Sequence, residues 1–199
     1  MPEASVLMVG TEPAVVETAL VAGRLACPVC GQDLRPWGHA RSRELRRRGG
    51  ADRRRPRRAI CAGCGVTHVL LPDDSLARRR DDVEVIGAAL AAKAGGSGHR
   101  PIAADLGLPP TTVRGWLRRF GAMADRIREH FTRWAHALDP QLGTIAPAGS
   151  AFADALEAIG VAARAGVWRF GPHPPWSLAS VLSGGGLLSN TSSPWAAPG

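Results

Sequence analysis

Apolar residues at Met123, Ile127, Phe131, Trp134 and Leu138 recur at spacings of four, four, three and four, which predicts an amphipathic helix. Val83, Ile86 and Leu90 fall on one face of an earlier helix. Asp81, Asp82 and Glu84 favour its positive amino end. Between the two, Ile102 to Leu106 with its small Ala103 reads as a short helix, closed by Gly107. Leu108-Pro109-Pro110 then leads into a helix whose Val113 and Trp116 or Leu117 face back on the first. Pro110 suits a first helical turn, where its missing N–H would be unpaired anyway. Phe152, Leu156 and Ile159 mark one more amphipathic helix, from Ala148 to about Ala165.

Nearer the amino terminus the elements read as strands. Leu34 to Leu45 fits one strand, Gly49 to Asp52 a turn, Arg57 to Ile60 a returning strand and Val66 to Leu71 a third. A period of two puts Arg35, Trp37, His39, Arg41 and Arg43 on one face. Val6 to Val9 offers a further short strand, and Thr11 caps a helix that runs through Leu20 and ends at Gly23. From Phe170 onward there are no formal charges, and the segment is rich in Pro, Gly and Ser. Residues 184–199 are expected to be disordered, with Trp176 and Trp195 in loose local contacts.

Charge changes this picture at one place. The chain carries a net +8, but residues 35–58 hold eleven arginines against Glu44 and Asp52, so everything else sums to −1. Such concentration points to a polyanionic partner. Only Lys93 is lysine, a bias that fits a GC-rich genome. The amino terminus lacks the basic lead and long apolar run of a signal peptide, and no stretch of about twenty apolar residues could span a bilayer. A cytoplasmic, nucleoid-associated protein is expected, with no membrane partner.

All four cysteines lie in two matched pairs, Cys27-Pro-Val-Cys30-Gly31 and Cys61-Ala-Gly-Cys64-Gly65, with thirty residues between them. Two C-x-x-C-G turns match a tetrahedral site of four thiolates, and the glycines permit the backbone that points N–H groups at sulfur. Disulfides and a redox C-x-x-C are the alternatives. The first are disfavoured inside cells and the second needs no matched partner. One structural Zn2+ on Cys27, Cys30, Cys61 and Cys64 is the expectation, with His39 and His68 read as ordinary surface or strand residues. The arginine-rich block lies between the pairs, so it reads as a hairpin loop on a metal-stapled base.

Small residue, turn glycine, then apolar positions facing back is the helix-turn-helix pattern. Thr111, Thr112 and Arg114 open its second helix and are the candidates for base edges, whereas Arg118 and Arg119 lie a turn later and suit phosphates. Gly115 costs that helix about 1 kcal/mol relative to Ala. Close approach to DNA or to a neighbouring helix would account for it, as would drift. Arg41, Arg43, Arg46, Arg47, Arg48, Arg53, Arg54, Arg55, Arg57 and Arg58 are the candidate backbone clamp.

The stretches CPVCGQDLRPWGHARSRELRRRGG, RPRRAICAGCGVTHVLLP and GHRPIAADLGLPPTTVRGWLRRF together resemble an uncharacterised family of bacterial proteins with an amino-terminal zinc ribbon and a helix-turn-helix. That family is similar to the DNA-binding front end of transposases. The resemblance covers roughly Leu20 to Asp139. It implies DNA binding and a link to mobile elements, and brings in a separate transposase or integrase as a partner.

The expected fold is α+β: a small antiparallel zinc-ribbon sheet, an all-α helix-turn-helix domain and a disordered carboxyl-terminal tail. The spans are 1–24 for the first strand and helix, 25–72 for the ribbon, 76–138 for the helix-turn-helix, 139–183 for a helical extension and 184–199 for the tail. The apolar face of the extension's helix either packs on the core or pairs two chains, so a homodimer is a second candidate partner. After the helix-turn-helix only Asp125, Glu129, Asp139, Asp154 and Glu157 remain as carboxylates; the first two and the last two fall on amphipathic helices, and no strand pattern supports a catalytic sheet. The absence of Tyr excludes tyrosine recombinases and tyrosine-dependent nicking enzymes, and no G-x-x-x-x-G-K-[ST] stretch offers a P-loop. The expectation is a non-catalytic, sequence-specific binder of double-stranded DNA tied to a mobile element. The alternatives are a helix-turn-helix transcription regulator, a zinc-ribbon RNA-binding or assembly module, and a remnant transposase.

Overall fold

The computed structural model describes residues 5–189; the expectations for 190–199, Trp195 among them, fall outside it. β1 (Ser5–Val9) lies parallel to β6 (Thr67–Pro72), which is antiparallel to β5 (Arg57–Cys61), itself antiparallel to β2 (Leu34–His39). The sheet order is β1-β6-β5-β2, so the sheet is mixed and not the purely antiparallel one expected. Apolar Val6 to Val9 cover the edge that β6 would otherwise leave open. α1 (Pro13–Val21) folds Val16 and Leu20 onto Leu34, Ala59 and Leu70, a small core that also contains Cys27 and Cys61. Glu12, not Thr11, holds the N-cap position, with no side-chain cap bond, and Pro13 opens the helix.

The long strand expected over Leu34–Leu45 is two elements. Pairing of β2 with β5 slips between Pro36 and His39, where Gly38 sits at φ 81°, and the strand ends at His39. The chain restarts as β3 (Arg43–Arg47) and β4 (Gly50–Arg54), a separate hairpin turning through Arg48 and Gly49, with Gly49 at φ 77°. A bulge resets side-chain alternation, so the single-face ladder from Arg35 to Arg43 does not form. Arg41 lies outside any strand.

The helices are α2 (Val83–Ala94), α3 (His99–Leu106), α4 (Pro110–Ala122), α5 (Ala124–Leu138), α6 (Ala151–Phe170) and α7 (Pro175–Leu182). Asp82 caps α2, its side chain accepting the Glu84 N–H at 2.9 Å. α3 ends at Gly107 in the left-handed region (φ 63°), where the Leu108 N–H reaches back to the Ala103 carbonyl at 2.9 Å. Pro110 then starts α4, which buries Val113, Trp116, Leu117 and Phe120 in one core with Ile86 and Leu90 of α2, Ile127 and Phe131 of α5 and Ile159 of α6.

α6 carries Ala155, Ala158 and Ala162 with no exposed surface, and these small side chains let it pack closely along α5. Phe152, Leu156 and Ile159 pack into the helical core, whereas Val167, Trp168 and Phe170 at the carboxyl end of the helix stay exposed. α7 is an element the sequence pattern does not mark: Pro174-Pro175 lies in an uncharged stretch rich in Pro, Gly and Ser, yet Pro175 occupies the first helical turn. Trp176 is not a loose contact. Its indole lies over Gly87 of α2, so closely that a β-carbon there would come within 2.1 Å of the ring. Residues 184–189 are likewise ordered: Leu187 and Leu188 are buried in the helical core, and the Gly185 carbonyl accepts from the Ala77 N–H at 2.8 Å.

Candidate metal centre and basic surface

The four cysteines converge from two turns of the same shape. In the first, the Gly31 N–H donates to the Cys27 carbonyl at 2.8 Å with Gly31 at φ 74°; in the second, the Gly65 N–H donates to the Cys61 carbonyl at 3.2 Å with Gly65 at φ 71°. Leu34 pairs with Cys61 across β2 and β5, which brings the turns together. All four Sγ atoms lie within 4.8 Å of one another, with Cys27–Cys64 at 3.8 Å and Cys30–Cys61 at 3.3 Å. These separations rule out sulfur–sulfur bonds of about 2.05 Å. They suit a tetrahedral ion, since metal–sulfur bonds of about 2.3 Å place sulfurs roughly 3.8 Å apart. The cysteines therefore form a cluster able to hold a metal ion.

Backbone N–H groups aim at the sulfurs: Val29 at Cys27 (3.4 Å), and Gly63 and Cys64 at Cys61 (3.3 and 3.4 Å). The Cys64 N–H, with help from Cys30 and the Gly63 N–H, lowers the Cys61 thiol to about 6 against the cost of desolvation. Cys64 is drawn down by the Val66 N–H, yet desolvation and its three sulfur neighbours push it up to about 12.

His68, expected as an ordinary surface or strand residue, is a strand residue packed against the cluster and not at the surface. It is fully buried on β6, with Nε2 3.4 Å from the Cys27 sulfur and Nδ1 2.5 Å from Ser5 Oγ. Burial holds its pKa below the ordinary histidine value, and the ring sits where an outer partner of a metal would orient a cysteine. The available signal was alternation, since His68 and Leu70 share the inward face of β6.

The arginine hairpin is held, but by carboxylates rather than by the metal turns alone. Arg46 meets Asp81 at 2.9 Å. Arg47 meets Asp74 at 2.5 Å, Asp82 at 3.0 Å and Asp52 at 3.2 Å. Arg54 meets Asp74 at 2.8 Å. Asp74, Asp81 and Asp82 are all buried, and burial raises the Asp82 carboxyl above the ordinary range even though the Glu84 N–H and Arg47 draw it down. Backbone bonds reinforce the docking: the Arg46 N–H donates to the Arg80 carbonyl at 2.7 Å, and the Asp82 N–H to the Arg46 carbonyl at 2.9 Å. At the hairpin tip, Arg48 reaches Asp105 of α3 at 3.3 Å.

The candidate clamp therefore divides. Arg46, Arg47 and Arg54 are structural staples. Arg57 makes a bidentate pair with Glu17 of α1 (2.7 and 2.9 Å), and Arg58 donates to Thr67 Oγ1 at 3.2 Å. Arg53 donates to Ser42 Oγ at 3.1 Å. Arg43 is half-buried, which lowers its pKa. Arg41 and Arg55 are exposed and make no ion pair among the described residues. On α4, Thr111, Arg114 and Arg118 are exposed, and Thr112 and Arg119 half-buried. A β-carbon on Gly115 would meet only Arg119 Nη1 at 3.8 Å, so no neighbouring helix requires glycine there.

A family model described as a domain of unknown function (DUF6431) matches residues 27–116, from the first cluster cysteine to the middle of α4. No curated protein and no solved structure matches the chain. Among the described residues no helix is long and apolar enough to cross a membrane.

Proposed function

We propose that this protein is a non-catalytic, sequence-specific binder of double-stranded DNA in which a zinc-stapled ribbon supports a helix-turn-helix made of α3 and α4. The observation that carries the reading is α4 itself. It follows a left-handed glycine turn, buries one face, and leaves Thr111, Arg114 and Arg118 exposed with no ion-pair partner among the described residues. Open space beside Gly115 favours close approach of a ligand over close packing of a helix as that residue's reason. Zinc is the ion of choice for four thiolates at these spacings, and it serves structure, since no coordination position stays open.

Arg41, Arg53, Arg55 and Arg48 are the hairpin side chains left for phosphates, Arg48 at the cost of its exposed pair with Asp105. Ribbon followed by helix-turn-helix is the order of a transposase front end, and on that likeness we assign the protein to the ends of a mobile element, acting beside a separate transposase or integrase.

The test is selection of purified protein on fragmented genomic DNA at about 150 mM salt, a condition where phosphate contacts still discriminate. Enrichment of inverted repeats supports the full reading. Enrichment at promoters keeps DNA binding and makes the protein a regulator. No enrichment over bulk DNA refutes sequence-specific binding. Metal analysis of the same preparation should return one zinc per chain.

A further inference from the structure

Arg78-Arg79-Arg80 lie in the loop between β6 and α2, outside both the arginine hairpin and the helix-turn-helix. We propose that Arg78 and Arg80 bind phosphates and bridge the arginine hairpin to α4, making one continuous track for the backbone of a single DNA duplex. The inference rests on the DNA-binding reading and adds a site to it.

Position comes first. The loop is fixed to the hairpin by the Arg46 N–H to the Arg80 carbonyl (2.7 Å) and by the Asp82 N–H to the Arg46 carbonyl (2.9 Å). It is fixed to the carboxyl-terminal segment by the Ala77 N–H to the Gly185 carbonyl (2.8 Å) and by the Arg79 guanidinium to the Leu188 carbonyl. On its other side Leu76 is buried in the same core as Val113, Trp116, Leu117 and Phe120 of α4, and the Arg79 guanidinium feels the charge of Arg119. The loop is thus tied to both basic elements.

Conformation comes second. Arg78 has φ 60° and is the one non-glycine with positive φ among the described residues. Glycine adopts that backbone without steric cost, and an arginine there is strained. The strained residue is also exposed, so packing gives no reason for its side chain. A use for the guanidinium outside the fold does.

Charge comes third. Arg78 and Arg80 are exposed and have no ion pair among the described residues, although Asp74, Asp81 and Asp82 lie close along the chain. Those carboxylates are occupied by Arg46, Arg47 and Arg54. Arg79 is an anchor rather than a contact. Burial lowers its pKa first and Arg119 lowers it further, while Asp81 draws it back up. For the exposed and unpaired Arg78 and Arg80 an extended polyanion is the fitting counterion.

The experiment compares the full-length zinc-loaded protein with Arg78→Gly, Arg80→Gln and the double variant. Binding to a mixed-sequence DNA duplex is followed by fluorescence anisotropy across a salt series, and thermal unfolding is recorded alongside. Each lost phosphate contact should make the log–log salt slope shallower by about 0.9, which corresponds to roughly five-fold weaker binding at 150 mM salt relative to 1 M. The double variant should lose roughly thirty-fold. Arg78→Gly should unfold at the same or a higher temperature, which separates lost contact from lost fold. A double variant with the parent's affinity and slope overturns the bridge while leaving DNA binding intact. A parent protein with no affinity for the duplex overturns both. Equal affinity for duplex RNA, with the same losses, overturns the assignment to DNA.

Discussion

Asp74→Asn removes one charge and keeps the side chain's size, which makes it the sharpest probe of how the hairpin is held. Asp74 serves Arg47 at 2.5 Å and Arg54 at 2.8 Å, and its side chain is only 9% exposed. Arg54 is 20% exposed and keeps only Asp52 at 3.6 Å once Asp74 is neutral; Arg47, at 39%, keeps Asp82 at 3.0 Å and Asp52 at 3.2 Å. Exposed pairs contribute about 0.2–1 kcal/mol, whereas stranding a buried partner costs about 3–5 kcal/mol. The Arg54 contact lies between these limits and dominates, so the expected loss is about 2–3 kcal/mol. For a chain of this length that lowers Tm by roughly 5–10 °C.

Hydrogen exchange reports the event locally. The amides of Arg46 and Asp82, which tie β3 to the loop before α2, should lose protection before those of β5 and β6 do. Asp105→Asn, which breaks an exposed pair with Arg48, is the control and should change Tm by less than about 4 °C. If Asp74→Asn leaves the Arg46 and Asp82 amides as protected as before, the carboxylates do not hold the hairpin and the reasoning fails.

Four further outcomes are expected. Cys61→Ser should release the metal and melt the β-sheet while the far-ultraviolet helical signal largely persists, because structural zinc contributes roughly 10–16 kcal/mol to small modules; full metal retention would refute the four-cysteine site. Gly87→Ala drives a β-carbon into the Trp176 ring and should cost about 1–3 kcal/mol, and truncating Trp176 in the same chain should recover part of it. Gly115→Ala should stabilise α4 by about 1 kcal/mol and weaken DNA binding; unchanged binding would mean the glycine serves no ligand. Glu17 is held below the ordinary carboxylate range chiefly by its hydrogen bond from Arg57. Its contribution is present above the unfolded-state pKa of about 4.3 and lost as pH falls through the lower folded value, so Glu17→Gln should flatten the stability profile below about pH 4.

The α+β class and the cysteine cluster were legible because they rest on local signals: residue spacing, turn glycines and helical periodicity. The breaks were not. Gly38 ends β2 through a positive φ and a register slip, neither of which interrupts a run that alternates on paper. Arg46 and Arg47 look free in sequence because their carboxylates lie 35 and 27 residues away. The proline pair of an apparently irregular stretch begins α7, and Leu187 and Leu188 are two apolar residues amid glycines whose burial depends on a core built elsewhere. His68 lies 41 residues from the sulfur it touches.

The parallel pairing of β1 with β6 has a consequence for synthesis on the ribosome. Ser5 and His68 are 63 positions apart, so at roughly 5–20 residues per second β1 waits on the order of several seconds for its partner to be made. Through that interval Val6-Leu7-Met8-Val9 is an apolar strand with an open edge, the kind of segment that pairs with the wrong chain. Cys64 emerges only four residues ahead of His68, so metal capture by the two turns and completion of the sheet become almost one event. Starved of metal, the nascent chain would keep that sticky edge exposed, and its yield in cells would track metal supply.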